Sequence, residues 1–387
     1  MPHPSENPTP DAHGSQHAGP LRVGWILSRG AGRRLGRILE PLAVGLMDEL
    51  IELTLILPSK QDAGKIPSPP VERIFYRPKR FWHARSVIWA ELTEAVSAAS
   101  LDVLHAAEPS DIELANWLGA ACEVPFGVVC PSADRIRPLG RVNEFGEFLM
   151  ALSEPIHQRI CQAGILPRQH VHLIRPGVFP ARQARCCASP DRPLSIMAGG
   201  PLDDPVSGLA LLQCFRRLRQ EHPKVLFFLT GSGPAERQLR KEAENLELTD
   251  VLTFLSGMAD GQLSGLFLAA DVYITPKRLA WYDLHALLAM ASGLPVIASS
   301  DAADDFIQAD RTARVFDPAR SEQLLEVLED VLRHTAQTRA MVERALEYLR
   351  STHGMSTMTR QLAELYRQVA GMGVDAGEGP PAWGPKG

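Results

Sequence analysis

Residues 275–295 read TPKRLAWYDLHALLAMASGLP and decide the fold of this chain. The stretch begins at the end of the apolar run ADVYITP and leads through Gly293 and Pro295 into a second apolar run, LPVIASS. Between the runs lies a helix-forming segment, LHALLAMAS, which follows Asp283, a residue type that caps helices well. The pattern predicts a strand, a loop, a capped helix and a second strand, which is the repeating unit of a parallel α/β sheet.

The same alternation of short apolar runs and helical segments extends in both directions from this stretch. Before the Pro- and Arg-rich segment FPARQARCCASPDRP, the predicted strands are RVGWILS, LTLILP, ERIFY, DVLHAA, FGVVC, EFLMALS and VHLIRPG. After it they are LSIMAGG, VLFFLTGSGP, VLTFLSG, ADVYITP, LPVIASS and ARVFD. Two successive runs of β-α units predict two doubly wound sheets joined by a hinge, with a ligand cleft between their carboxyl ends.

We therefore predict two folded domains with short flanking segments. In chain order these are a disordered tail (1–20), an N-terminal Rossmann-like domain (21–182), a hinge (183–192), a C-terminal Rossmann-like domain (193–352), a C-terminal helix (353–370) and a second disordered tail (371–387). The tails are assigned from their high content of Pro, Gly and Ser.

The composition is that of an ordinary globular chain, with 387 residues, 45% of them hydrophobic, and a formal net charge of −5. This charge offers no basic face, so we predict no nucleic-acid partner. No apolar run approaches the ~20 residues that cross a bilayer, so no transmembrane segment is predicted, while peripheral membrane contact stays open. The six cysteines form neither a C-x-x-C pair nor a metal-ligand pattern, which indicates reduced thiols, a cytoplasmic location and no metal site.

Several motifs follow one another in a single order: DVLHA at 102–106, SE at 153–154, PGV at 176–178, GSGP at 231–234 and AMASGLPV at 289–296. Together they resemble the retaining GT-B glycosyltransferases of family 4 over most of the chain. The resemblance implies an acceptor-binding first domain, a nucleotide-sugar-binding second domain and a last helix that crosses back to the first. It also implies transfer of a hexose from a nucleotide sugar to a glycan or lipid-linked acceptor, with retention and with neither a metal nor another cofactor.

The chain departs from that family at its polar site positions. The two glutamates of the family fall on Ala280 and Leu288, and its donor-facing glycine falls on Asp283. The arginine of its diphosphate turn falls on Pro201, and the histidine of its T-x-H-D motif is missing from CPSAD at 130–134. These losses support a second hypothesis, a non-catalytic relative that binds a nucleotide, a glycan or a partner transferase.

Three residues remain as catalytic candidates: His105, Asp283 and His285. Each has a simpler interpretation, namely a histidine that packs the cleft wall, a helix cap and a surface residue, respectively. The resemblance assigns donor binding to residues at strand ends of the second domain and in the loop after ADVYITP: Gly200, Gly231, Gly233, Gly257, Met258, Lys277, Arg278 and Leu284. The glycines in this set either present backbone N–H groups to a nucleotide or only permit tight turns.

The stretch SRGAGRRLGR at 28–37 lies between the first predicted strand and its helix and is a candidate anion-binding loop. A solvated basic helix start is the first interpretation of these arginines, and contact of Gly30, Gly32, Arg33 and Arg34 with a phosphate-bearing acceptor is the alternative. Arginine at a helix start opposes the helix dipole, and this favours an anionic ligand. The glycine spacing also mimics a dinucleotide fingerprint, but LTLILPSK ends without the acidic residue that holds a ribose.

Overall fold

The computed structural model describes residues 19–58, 71–76, 85–132, 146–185, 192–199, 202, 205–231, 233–255, 260–276, 282–302, 304–320 and 322–372. Within these ranges the chain forms two parallel β-sheets, one of seven strands and one of six, with helices between successive strands. Each strand predicted from the sequence is present in one of the two sheets. The prediction of two doubly wound α/β sheets is confirmed.

The first sheet has the strand order β3-β2-β1-β4-β5-β6-β7. Its strands are β1 (Leu21–Ile26), β2 (Ile51–Leu57), β3 (Glu72–Phe75), β4 (Val103–Ala106), β5 (Phe126–Cys130), β6 (Gly146–Ala151) and β7 (Val171–Leu173). The α-helices described alongside it are α1 (Arg29–Asp48), α2 (Arg85–Ala98), α3 (Ile112–Cys122) and α4 (Glu154–Ala163). The central strands β4 and β5 are apolar and buried on both faces, which explains why their sequences are continuous hydrophobic runs.

The second sheet has the strand order β10-β9-β8-β11-β12-β13. Its strands are β8 (Leu194–Ala198), β9 (Val225–Thr230), β10 (Leu252–Leu255), β11 (Val272–Thr275), β12 (Val296–Ser299) and β13 (Arg314–Phe316). The helices of this half are α5 (Pro205–Glu221), α6 (Glu236–Asn245), α7 (Asp260–Ala269), α8 (Leu284–Ala291), α9 (Gln323–Arg333) and α10 (Thr335–Thr352). The order reverses between β8 and β11, so the carboxyl ends of these two strands form the switch point where α/β sheets bind ligands.

The last helix, α11 (Met355–Met372), packs against the first sheet. The indole Nε1 of Trp25 in β1 donates to the hydroxyl of Tyr366, with an N···O distance of 2.8 Å. Thr359 lies against Gly45 of α1, where a Cβ would come within 2.5 Å of the threonine methyl group. The chain therefore returns from the second half to the first, as the resemblance implied. The domain limits at 182, 193 and 352 stay predictions.

Two segments differ from the sequence prediction. The stretch that contains Gly30, Gly32, Arg33 and Arg34 is not a loop but the first turns of α1. The helix begins directly after Ser28 because the Ser28 hydroxyl accepts a hydrogen bond from the Ala31 N–H, 3.1 Å apart, and so caps it. At the other end, α11 continues to Met372, two residues beyond the predicted limit, a difference usual for helix ends.

Candidate functional site

The carboxyl ends of the two sheets face each other and are joined by hydrogen bonds between the loops that follow the strands. The backbone N–H of Tyr282, which follows β11, donates to the carbonyl of Pro131, which follows β5, at 3.0 Å. The backbone N–H of Glu154, at the start of α4, donates to Oδ2 of Asp305, which follows β12, at 3.3 Å. The candidate site is therefore built around these contacts, at the strand ends where the cleft was predicted.

Asp283 is the cap of α8, as predicted from the sequence. Its Oδ1 accepts a hydrogen bond from the Ala286 N–H at 2.9 Å, and its Oδ2 accepts one from the Thr275 hydroxyl at 2.7 Å. The residue is buried, with 8% of its surface exposed. Both carboxylate oxygens are thus bonded to the protein itself, and one of them occupies the helix N-terminus at which an anionic ligand would bind.

The residues next to Asp283 form one wall of the candidate site together with it. Leu284 donates its N–H to the Tyr282 carbonyl at 2.9 Å, which closes the turn into α8. His285, in the first turn, and Leu288, at the position of the second family glutamate, are both half-buried. Leu288 offers no group that could polarise or orient a substrate. The structure places Asp283, Leu284 and His285 together at the start of α8.

Two consecutive aspartates face the first domain across the contact. The guanidinium Nε of Arg175, which follows β7, donates to Oδ2 of Asp305 at 2.6 Å. Burial opposes the positive charge of Arg175, but the hydrogen bond and the charge of Asp305 outweigh it and raise the pKa of the guanidinium. Burial, followed by the charge of Asp305, raises the pKa of Asp304 from 3.8 to about 6. This contact is a buried, charged junction between the two halves of the chain.

His353 connects this junction to Tyr282. The His353 Nε2 lies 3.0 Å from the Tyr282 hydroxyl and 3.9 Å from Asp305 Oδ1, and its Nδ1 lies 2.8 Å from the Thr352 hydroxyl. Burial, with a smaller effect of Arg175, lowers the pKa of His353 to about 3, so the imidazole is neutral. A neutral imidazole both donates and accepts, which suits a position between two hydroxyl groups.

His105 does not face this site. Its side chain is fully buried, with Nδ1 2.6 Å from the hydroxyl of Tyr366 in α11 and the ring edge-on to Trp25 and Phe148. Burial lowers the pKa of His105 to about 3. The geometry favours the packing interpretation over a catalytic one, because α11 covers the end of β4 where a ligand would have to reach the ring.

The buried titratable groups predict how stability depends on pH. His105 and His353 stay neutral in the folded chain but take up protons when unfolded, so each removes stability as the pH falls from about 6.5 towards 3. Asp304 acts in the opposite direction: its pKa is raised, so its contribution is lost as the pH rises from about 4 to about 6. We expect acid to destabilise the protein more steeply in Asp304→Asn than in the wild type.

Thermal unfolding midpoints recorded between about pH 4 and 7 test this difference in slope. Asp48→Asn is the matched control, because Asp48 is exposed at the end of α1 and is not one of the junction residues. A slope in Asp304→Asn equal to that of the wild type would show that Asp304 does not titrate in this window.

The packing of Tyr273 explains why the residue before the predicted diphosphate turn, Gly199, is a glycine. A Cβ at Gly199, directly after β8, would lie 1.9 Å from the Tyr273 hydroxyl oxygen. That hydroxyl is buried and has no hydrogen-bond partner in the part of the chain that the structure describes. Gly199 is therefore required for the packing of Tyr273, whether or not a ligand binds beside it.

The structure describes only some of the other residues that were predicted to bind the donor. Gly231 ends β9 with a φ of 131°, a conformation that requires glycine, and Gly233 follows it at the approach to α6. Five others lie outside the described residues: Gly200, Gly257, Met258, Lys277 and Arg278. The backbone of Gly30, Gly32, Arg33 and Arg34 is described as helix, as given above.

Sequence reasoning missed the junction itself. Arg175, Asp304, Asp305, Tyr282 and His353 are far apart in the chain, and none of them was singled out as a site residue. The local signal is the pair of aspartates at 304–305, where two adjacent charges lie in the segment between β12 and β13.

Among the described residues, no cluster of three or more His, Cys, Asp or Glu side chains could hold a metal ion. Within the same ranges, no helix is both long enough and apolar enough to cross a membrane.

Residues 209–348 match the family described as Glycosyl transferases group 1. The MMP alpha-(1->4)-mannosyltransferase of Mycolicibacterium hassiacum is 27% identical over 237 residues, which cover 59% of this chain and 55% of that protein. The GDP-mannose-dependent alpha-(1-6)-phosphatidylinositol monomannoside mannosyltransferase of Mycobacterium tuberculosis is 27% identical over 165 residues, covering 41% and 43%. The matched segments thus span about half the length of these relatives.

Solved structures extend the similarity to both halves of the chain. A glycosyltransferase from Rickettsia africae superimposes with a TM-score of 0.72 at 14% identity, covering 90% of this chain and 98% of that one. HepE of Anabaena, solved in complex with UDP and glucose, superimposes with a TM-score of 0.69 at 16% identity, covering 90% and 100%. At such identities the likeness concerns the fold alone.

Proposed function

Because the chain belongs to the GT-B glycosyltransferases of group 1, we propose that it is a non-catalytic member that binds a nucleotide or a glycan without transferring sugar. One observation carries this proposal: the carboxylate of Asp283 fills the N-terminus of α8 from within the protein. The loss of the two family glutamates, at Ala280 and Leu288, agrees with it.

The charge of Asp283 opposes a donor diphosphate. Two like charges ~4 Å apart repel by roughly 4 kcal/mol at the effective dielectric constant of a protein surface. The dipole of a helix N-terminus favours an anion by about 0.3–1 kcal/mol, but Asp283 already makes use of that gain. A diphosphate beside α8 would therefore meet net repulsion, unless basic groups compensate for it.

Sugar transfer also needs groups that stabilise the leaving diphosphate and orient the sugar. In the described part of the wall, the side chain of Asp283 is held by two hydrogen bonds, Leu288 is apolar and His285 is half-buried. Recognition of a nucleoside by the backbone groups of Gly231 and Gly233 does not depend on side chains. The chain can therefore bind a nucleoside even though it has lost the residues that sugar transfer needs. This supports a protein that binds a nucleotide without transferring sugar.

A second candidate function is hexose transfer with retention through an atypical site. It is favoured by Asp304, whose pKa of about 6 suits proton transfer near neutral pH, and by the activity named for the two mannosyltransferase relatives. In that case Lys277 and Arg278 would supply the positive charge, with Asp283 or His285 at the sugar. The acceptor would be a glycan or a lipid-linked glycan.

The location that we propose for this protein is the cytoplasm. Cys122, Cys130, Cys161 and Cys214 are free thiols in the structure, which agrees with a reducing compartment. The binding partner in this proposal is a nucleotide sugar, a glycan or a partner transferase, and neither a metal nor another cofactor takes part.

A turnover assay distinguishes the two candidates. The full chain is incubated with UDP-glucose, GDP-mannose or ADP-glucose, and release of the nucleoside diphosphate is followed with and without added oligosaccharide. We expect no release above the buffer rate with any donor. Release that is abolished in the Lys277→Ala/Arg278→Ala double variant and reduced in Asp304→Asn would replace our proposal with the atypical transferase.

A further inference from the structure

A cavity lies at the opposite end of the first sheet from the candidate site. It has a volume of about 200 Å³ and is lined by Glu147, Gln169, His170, His172, Leu365, Gln368 and Val369. Glu147 is the second residue of β6, and Ser153, at the cleft end, comes six residues later, which is ~20 Å along the strand at about 3.3 Å per residue. The cavity is therefore separate from the cleft.

Three structural elements build this cavity. The edge strand β7 pairs with β6, with His172 opposite Met150, and α11 covers the strands with Leu365 and Val369. Leu365 and Val369 are buried and form an apolar floor. Gln169 and Gln368 are exposed and stand at the rim, while Glu147 and the two histidines are half-buried between rim and floor.

The polar groups of the wall are held in defined orientations. His170 Nδ1 lies 2.9 Å from the Glu147 carbonyl oxygen, so it carries the proton and donates, which leaves Nε2 as the acceptor. The side-chain amide of Gln169 lies 3.4 Å from that Nε2 and donates to it. Burial, with the nearby His170 and His157, lowers the pKa of His172, so its neutral ring both donates and accepts.

This combination of groups selects against several ligand classes. The cavity is not a metal site by the geometry of the described residues. Its described lining contains neither Lys nor Arg for an anion, and its aromatic groups are the imidazoles of His170 and His172, with no Phe, Tyr or Trp ring. Its volume lies below the ~300–1,000 Å³ of pockets for drug-sized ligands, so it suits a single small ring.

We propose that this cavity binds one neutral sugar ring, as a glycan-binding site distinct from the nucleotide cleft. Sugar hydroxyl groups both donate and accept, and the wall offers a carboxylate, two carboxamides and two imidazoles that match them. The apolar floor of Leu365 and Val369 faces the C–H side of the ring. This site does not depend on the proposed function of the cleft.

Saturation-transfer NMR on the full chain tests the proposal with three probes: methyl α-glucopyranoside, methyl α-mannopyranoside and methyl α-galactopyranoside. We expect transfer to at least one of them at millimolar concentration, and no displacement by UDP. Gln368→Ala should weaken the affinity about three- to tenfold, as expected for one lost hydrogen bond. The double variant Glu147→Gln/Gln368→Ala should weaken it further.

The matched control is Gln361→Ala, which changes the same residue type at another exposed position of α11, two turns before Gln368 and outside the residues that line the cavity. It should bind the probe like the wild type. The proposal is overturned by absence of transfer to all three sugars, by displacement with UDP, or by an unchanged affinity in the double variant. Circular dichroism of each variant shows whether the fold is intact.

Discussion

Replacing Asp283 by Gly is expected to raise the affinity for a nucleoside diphosphate at least tenfold. The substitution removes a buried carboxylate from the helix N-terminus and frees the Ala286 N–H for a phosphate oxygen. Tenfold corresponds to about 1.4 kcal/mol, a fraction of the roughly 4 kcal/mol of repulsion at ~4 Å. Calorimetric titration of both proteins with UDP, GDP and ADP measures the change.

Asp283→Asn separates the effect of the negative charge from the effect of the space that the side chain fills. Asparagine caps a helix as well as aspartate does, so α8 stays capped while the negative charge is gone. Glycine costs the cap only a few tenths of a kcal/mol, and loss of the Asp283 acceptor for the Thr275 hydroxyl costs about 1–3 kcal/mol. Both costs lie within the usual stability of a folded domain, so both variants should fold. We expect the Asn variant to bind nucleotide more tightly than the wild type and less tightly than the Gly variant. Weaker binding in both variants would mean that Asp283 contributes to the ligand site rather than blocking it.

The second large effect is expected at the junction between the domains. Arg175→Met leaves the carboxylate of Asp305, whose side chain is 9% exposed, without its charged partner and next to Asp304. Loss of one partner from a buried pair costs about 3–5 kcal/mol, and we expect the lower value because the Arg175 side chain is 24% exposed. Urea unfolding measures the loss in the free energy of unfolding.

Two further variants control this experiment. Arg217→Met breaks an exposed pair with Glu322, whose N···O distance is 3.5 Å, and should cost less than ~1 kcal/mol. Adding Asp305→Asn to Arg175→Met removes the unpaired charge and should restore most of the lost stability. If Arg175→Met costs no more than Arg217→Met, the junction is not a strong contact between the domains.

The fold could be predicted from the sequence because its signals are local. The stretch 275–295 links the buried strands β11 and β12 through the capping Asp283 and a helix, and each of these elements depends on residues within a few positions of one another. For the same reason the cap itself could be predicted. The error at 28–37 was also local: the glycines suggested a loop, but the Ser28 cap and the apolar face of α1 keep the backbone helical.

The candidate site could be predicted only where it lies on one segment. Arg175 and Asp305 are 130 positions apart, and His105 and Tyr366 are 261 apart, so no spacing pattern connects them. The burial of His105 in particular depends on the return of α11 to the first sheet, which brings Tyr366 to the end of β4. From the sequence alone, a histidine at a strand end is interpreted as a cleft residue, because the sequence does not show which helix covers it.

The most direct test of the central claim, that Asp283 keeps a diphosphate away from α8, compares nucleosides with their diphosphates on the unaltered protein. Uridine, guanosine and adenosine and the matching diphosphates are titrated by calorimetry under identical conditions. We expect the diphosphate to add no affinity over the nucleoside. A diphosphate that binds at least tenfold more tightly than its nucleoside would contradict it.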